Sequence, residues 1–282
     1  MYKSLNPEMV NIDCSFAELL ALARANGFDA VECALSKAVE IGGVSGAREE
    51  MERQGVFLSS FGFPVEFQKS GQEFEASFPA LEEAAKLASE VGIQRCQTYV
   101  YSWSDELPYA ENFRQYRDRL RLCAEVLKAY DIRLGLEFLG PKSLYEGKKH
   151  RFISSLSEVM ELCDAVGTGN VGVLLDAYHC YSSGLEMDGF LSVFRSERDV
   201  VSVHINDARP ETPIDELPDT LRYLPGEGGA IDLRLFLSSL KRLGYTGPVQ
   251  VEPFSETLRA MSDNQKIAAV VASSYEAFWP VD

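Results

Sequence analysis

Four segments of this chain read as buried strands, and each ends in a side chain able to ligate a metal ion. They are 134–138 (LGLEF), 171–179 (VGVLLDAYH), 201–207 (VSVHIND) and 249–254 (VQVEPF), and the residues are Glu137, Asp176, His204 and Glu252. An ionisable group at the end of an apolar run is costly to bury unless it is paired or bound to a cation. A structural salt bridge readily explains one such residue, but it explains four at matching positions poorly. Three carboxylates and one imidazole instead suit a single divalent ion: Mn2+, Mg2+, Co2+ or Zn2+. His179, three residues after Asp176, brings a second imidazole to the same place. Asp207, three after His204, is either a hydrogen-bonding partner of the site or a further ligand.

The elements that must position these groups alternate between apolar runs and amphipathic helical patterns. Runs at 30–35, 56–61, 95–101, 133–139, 171–177, 200–206 and 249–253 read as strands, with a weaker one at 2–6. Helical spacing appears at 16–25, 78–91, 110–130, 155–166, 233–243 and 266–278. Gly27, Gly92 and Gly244 stand where helices stop. Strand–helix alternation implies a parallel sheet, and strands that are apolar throughout imply that both faces are covered. Eight such units in 282 residues match an α/β fold of the (β/α)8 TIM barrel type, in one domain over 1–282. The alternative, a doubly wound open sheet, lacks its GxGxxG fingerprint here. On a barrel the four ligands sit at the ends of strands five to eight and converge at one mouth.

Composition narrows the function. A net charge of −16 argues against nucleic acid, whose phosphates need Lys and Arg. No stretch is long and apolar enough to span a membrane. The N-terminus has no apolar leader, and the six cysteines form no CxxC pair. Reduced thiols and a cytoplasmic location are the simplest expectation. The expected partner is a small molecule, and a homo-oligomer is compatible with the sequence.

Several segments together carry a resemblance. They are Gly135-Leu136-Glu137, Asn170-Val171-Gly172 leading to Leu175-Asp176-Ala177-Tyr178-His179, and Val203-His204-Ile205-Asn206-Asp207. Pro225-Gly226-Glu227-Gly228, and Gly244-Tyr245 leading to Val251-Glu252-Pro253, complete the set. The chain resembles the xylose isomerase-like TIM barrels, in particular the sugar phosphate isomerase/epimerase family. That group includes ketose 3-epimerases, hydroxypyruvate isomerase and inosose dehydratase-like proteins. The resemblance implies a metal quartet of Glu137, Asp176, His204 and Glu252, with His179 and Arg209 as substrate-binding residues. It also implies a carbohydrate or polyol substrate. The ketohexose epimerases carry a second acidic residue after the first ligand, and this chain has Gly140, Pro141 and Lys142 there.

The residue types give a mechanism. A divalent cation polarises a hydroxy-ketone and acidifies the adjacent C–H. Glu137 and Glu252, the expected catalytic pair, then remove and return a proton through an enediolate. Loss of a β-hydroxyl from the same enediolate makes a keto-polyol dehydratase the alternative. DNA phosphodiester hydrolysis of the endonuclease IV type needs a His-rich multi-zinc cluster, and three histidines do not supply it. A non-catalytic sugar-binding protein would have no need of the full quartet. Phe61, Phe63 and Trp103 are expected near the strand ends, as pocket wall or as rim packing. Lys148, Lys149 and His150 read as a solvated loop, or as a grip for a phosphate.

Overall fold

The eight strands are short because each spans only the barrel wall. The computed structural model describes residues 1–280. The strands are β1 (Tyr2–Leu5), β2 (Ala30–Val31), β3 (Phe57–Leu58 and Phe61–Gly62), β4 (Arg95–Val100), β5 (Arg133–Phe138), β6 (Val171–Asp176), β7 (Val200–Ile205) and β8 (Pro248–Val251). All neighbours in this sheet pair in parallel. The two halves of β3 lie at the two ends of the sheet order, the first half on β2 and the second on β4. That shared strand closes the sheet into a (β/α)8 barrel.

Helices wrap the outside. The main ones are α1 (Phe16–Ala25), α2 (Gly43–Gln54), α3 (Ala80–Val91), α4 (Tyr109–Ala129), α5 (Leu156–Val166), α6 (Leu233–Leu243) and α7 (Asn264–Glu276). Most turn an apolar stripe onto the strands: in α6, Leu233, Phe236, Leu237 and Leu240 are buried. Gly92 and Gly244 end α3 and α6 at φ 91° and 85°, a left-handed conformation that disfavours any residue with a Cβ.

Two expectations need correction. The run at 30–35 stops pairing at Val31, because Leu35 already begins a short helix, Leu35–Val39. The run at 56–61 is broken at Ser59-Ser60, whose hydroxyls turn to Ser4, the Val31 carbonyl and Glu32. The longest helices that the sequence pattern does not announce are α2 and Gly71–Ser77. Over α2, only Ala47, Glu50 and Gln54 are buried, so no apolar stripe announces it.

The barrel interior beneath the mouth is polar on one side. Ser4, Glu32, Ser59, Ser60, Gln97 and Gln250 are all buried there and hydrogen-bonded together. A layer of that kind replaces the branched apolar residues that usually fill such barrels. No helix among the described residues is long and apolar enough to cross a membrane.

Candidate metal centre

Strand register brings the four ligands together. His204 on β7 pairs with Asp176 on β6 and with Gln250 on β8, and Glu252 lies two residues beyond Gln250 on the same face. Glu137 ends β5 beside β6. The ligand atoms of Glu137, Asp176, His204 and Glu252 all lie within 4.8 Å of one another, and all four residues are buried. From His204 Nδ1, Glu252 Oε2 is 3.2 Å away, Glu137 Oε1 3.5 Å and Asp176 Oδ2 3.9 Å. His204 Nδ1 and Glu137 Oε1 are buried without a hydrogen-bond partner. Two orphaned atoms inside a nest of three carboxylates and one imidazole fit a divalent cation.

The surrounding groups aim these side chains. Gln250 Oε1 accepts from His204 Nε2 at 3.1 Å, so Nε2 carries a hydrogen and Nδ1 is the ring nitrogen turned to the centre. Asp176 Oδ1 caps a short helix, Ala177–Ser182, by accepting from the backbone of Tyr178 and His179 at 2.6 and 3.2 Å. Asn206 donates to both oxygens of Asp176 and to the Glu252 carbonyl. These contacts leave Asp176 Oδ2 facing the centre.

His179 is brought to the same place. The Gly140 N–H donates to its Nδ1 at 3.2 Å, and Arg222 Nη2 lies 3.3 Å from its Nε2. That Nε2 lies 4.0 Å from Glu137 Oε1 and 3.8 Å from Asp219 Oδ1. A Cβ at Gly140 would collide with the His179 carbonyl, which explains the glycine.

Arg209 is not at the quartet. It pairs with Glu256 at 3.5 Å and lies over the Tyr223 ring. The guanidinium at the quartet belongs to Arg222, which no sequence signal singled out. Its Nη1 donates to Asp176 Oδ2 at 3.1 Å and to Glu252 Oε2 at 2.8 Å, and its Nη2 to Asp219 at 3.0 Å. The group is clamped between the Tyr178 and Phe254 rings, 4.7 and 4.9 Å from their centroids. Phe254 takes φ 44° to reach that position, a strained conformation held beside the site.

Asp207 is a loop clamp, not a ligand. Its carboxylate accepts from the backbone N–H groups of Gly228, Gly229, Ala230 and Ile231 at 2.6–3.1 Å. Lys148 lies over the Trp103 ring, on a small ribbon where Trp103 pairs with Arg151 and Ser104 with His150. Phe61 is buried on β3, and Phe63 packs against Phe67.

Electrostatics separates the two glutamates. Burial, reinforced by the Glu252 charge, raises the Glu137 carboxyl to about 8. Burial acts on Glu252 too, but His204 and Arg222 overcome it and lower that carboxyl to about 2. For His204, burial is outweighed by the Glu252 and Glu137 carboxylates, and its pKa rises. His179 is lowered to about 3, chiefly by burial, and is neutral.

The model of the xylose isomerase-like TIM barrel family matches residues 20–275. The chain belongs to that family. Among curated members, an inosose isomerase of Halalkalibacterium halodurans is 29% identical over 153 residues, covering 54% of this chain and 50% of that one. The chain thus spans about half the length of the inosose isomerases it matches. An L-ribulose-5-phosphate 3-epimerase, UlaE of Escherichia coli, is 22% identical over 85% of this chain and 82% of its own length. Among solved structures, a xylose isomerase domain protein from Alicyclobacillus acidocaldarius superposes with a TM-score of 0.86 at 30% identity, over 99% and 98% of the two chains. The IOLI protein with a bound zinc atom superposes at 0.83 and 19% identity, again over 99% and 98%. Family members named here are thus isomerases and an epimerase, and one relative of this fold carries a metal ion.

Proposed function

We propose that this chain is a divalent-metal-dependent isomerase or epimerase of a hydroxy-ketone carbohydrate or polyol. The observation that carries the reading is the pair of orphaned atoms, Glu137 Oε1 and His204 Nδ1, inside the quartet. Glu137, Asp176, His204 and Glu252 would hold the cation. When bound, the ion supplies Lewis-acid polarisation of the substrate carbonyl.

The chain's own residues do the rest. Glu252, kept ionised by His204 and Arg222, takes the proton from the carbon next to the carbonyl. Glu137, recharged with a proton from solvent, delivers it to the neighbouring position or to the other face. The Arg222 guanidinium, with the His179 ring beside it, donates to the oxygen on which charge develops. We assign the main anchoring role to Arg222, with Arg209 at the outer rim. The named isomerases and the epimerase support this reading.

Two measurements test it. Elemental analysis should find about one divalent ion per chain, and none would overturn the metal site. Incubation with ketoses and keto-inositols in D2O, followed by NMR, should place deuterium next to the carbonyl. A dehydrated product in the same spectra would shift the reading to a dehydratase.

A further inference from the structure

A cavity of about 310 Å³ opens at the ends of β1, β2 and β3, and none of the quartet residues lines it. Asn6, Glu8 and Glu32 are its polar lining, with Cys33, Leu35 and Phe61 among its apolar walls. Its size lies at the low end of the roughly 300–1,000 Å³ range of small-molecule sites. It joins the centre through two hydrogen bonds: Gln250 donates to Glu32 Oε2 at 2.9 Å and accepts from His204 at 3.1 Å.

Glu32 is an anomaly in this barrel. It is buried, and its hydrogen bonds come from neutral groups: Gln97, Gln250 and Ser60. All of them reach Oε2, so Oε1 has no partner among the described residues. Asn6 stands next to it, one step beyond the pairing of Leu5 with Val31. Asn6 spends its Oδ1 on the Glu8 backbone N–H at 3.1 Å, and its NH2 group has no partner among the described residues. The cavity therefore presents an acceptor and a donor on neighbouring strands. A hydroxyl satisfies both at once, since it donates and accepts. A phosphate only accepts, and it would meet Glu8 and Glu32 with no lysine or arginine in the described lining.

We infer that this cavity is the subsite for the distal hydroxyls of an uncharged polyol, read by Glu32 and Asn6, and that phosphate esters are rejected there. The inference rests on the proposed reading of the metal centre and names its substrate class.

The test is calorimetric titration of the Mn2+-loaded protein with myo-inositol and with myo-inositol 1-phosphate. Inositol should bind, and the phosphate at least tenfold more weakly. Asn6→Ala should lose about tenfold in inositol affinity, the weight of one hydrogen bond, with its metal content unchanged. Glu32→Gln turns the free acceptor into a donor, so it should weaken inositol and narrow the gap to the phosphate. Equal or tighter binding of the phosphate, no binding of either ligand, or Asn6→Ala binding like the parent would each overturn the subsite. Deuterium uptake by a phosphorylated ketose, without inositol binding, sinks the subsite and leaves the isomerase reading intact. Asn6-dependent inositol binding without deuterium uptake by any ketone does the reverse.

Discussion

Glu137 Oε1 and His204 Nδ1 face each other at 3.5 Å in the barrel mouth, both buried and neither hydrogen-bonded. Both atoms are turned to the space between them, and a shared cation would satisfy both.

Cation uptake must therefore displace a proton from Glu137, whose pKa is about 8. Affinity for Mn2+ should rise as the pH climbs toward 8 and level off above it, with proton release that falls over the same range. The metal-free protein should show the opposite trend in stability. A carboxyl raised from 4.5 to about 8 on folding contributes stability that is full below 4.5 and lost as the pH rises through 8. Glu137→Gln should flatten that decline and weaken Mn2+ binding. A pH-independent Mn2+ affinity in the parent protein contradicts this assignment.

Arg222 balances two buried carboxylates, Asp176 and Glu252. Arg222→Met should cost the metal-free protein about 3–5 kcal/mol, the usual result of orphaning a buried charge. A bound cation takes over much of that balance, so the loss should shrink when Mn2+ is present. Urea unfolding with and without chelator measures the difference. An equal loss under both conditions would show that Arg222 acts through packing alone.

Gly140→Ala forces a methyl group against the His179 carbonyl and Ser182. Overpacking of this kind should cost about 1–3 kcal/mol, seen as a lower thermal midpoint. It should also shift the His179 ring that the Gly140 N–H holds, so turnover should fall more than substrate affinity. Unchanged turnover would remove His179 from the chemistry.

Asp207→Ala removes the acceptor shared by the N–H groups of residues 228–231. Amide hydrogen exchange should accelerate there, while metal content stays at the parent level. A loss of bound metal would return Asp207 to the role of a ligand.

The clustering of Glu137, Asp176, His204 and Glu252 is legible because each member interrupts an apolar run, and strand register does the rest. Arg222 was not legible for the opposite reason. It lies in the irregular stretch between β7 and α6, where no periodicity gives a side chain a direction. Nothing in the sequence of that stretch distinguishes Arg222 from Arg209. Gln250 reads as an ordinary strand residue until β7 and β8 are in register and set it against His204. Asp207 had two readings, and alternation decides between them: His204 and Asn206 face inward, while Asp207 falls past the strand end. Helix α2 was invisible because its buried positions are Ala47, Glu50 and Gln54, not a stripe of large apolar residues. The helices with a strong stripe, α3 and α6, were placed within two residues of where they lie.

Arg222 has one more consequence, for the order in which the protein matures. Metal-dependent domains often cannot fold until their ion arrives, because like charges would otherwise be forced together. Here the chain carries its own internal cation, clamped by Tyr178 and Phe254 against the carboxylates that most need it. The barrel can be completed first and loaded afterwards. On the proposed reading, the ion acquired would be set by the supply that the finished barrel meets, and a single batch of folded protein should fill with different ions as that supply is changed.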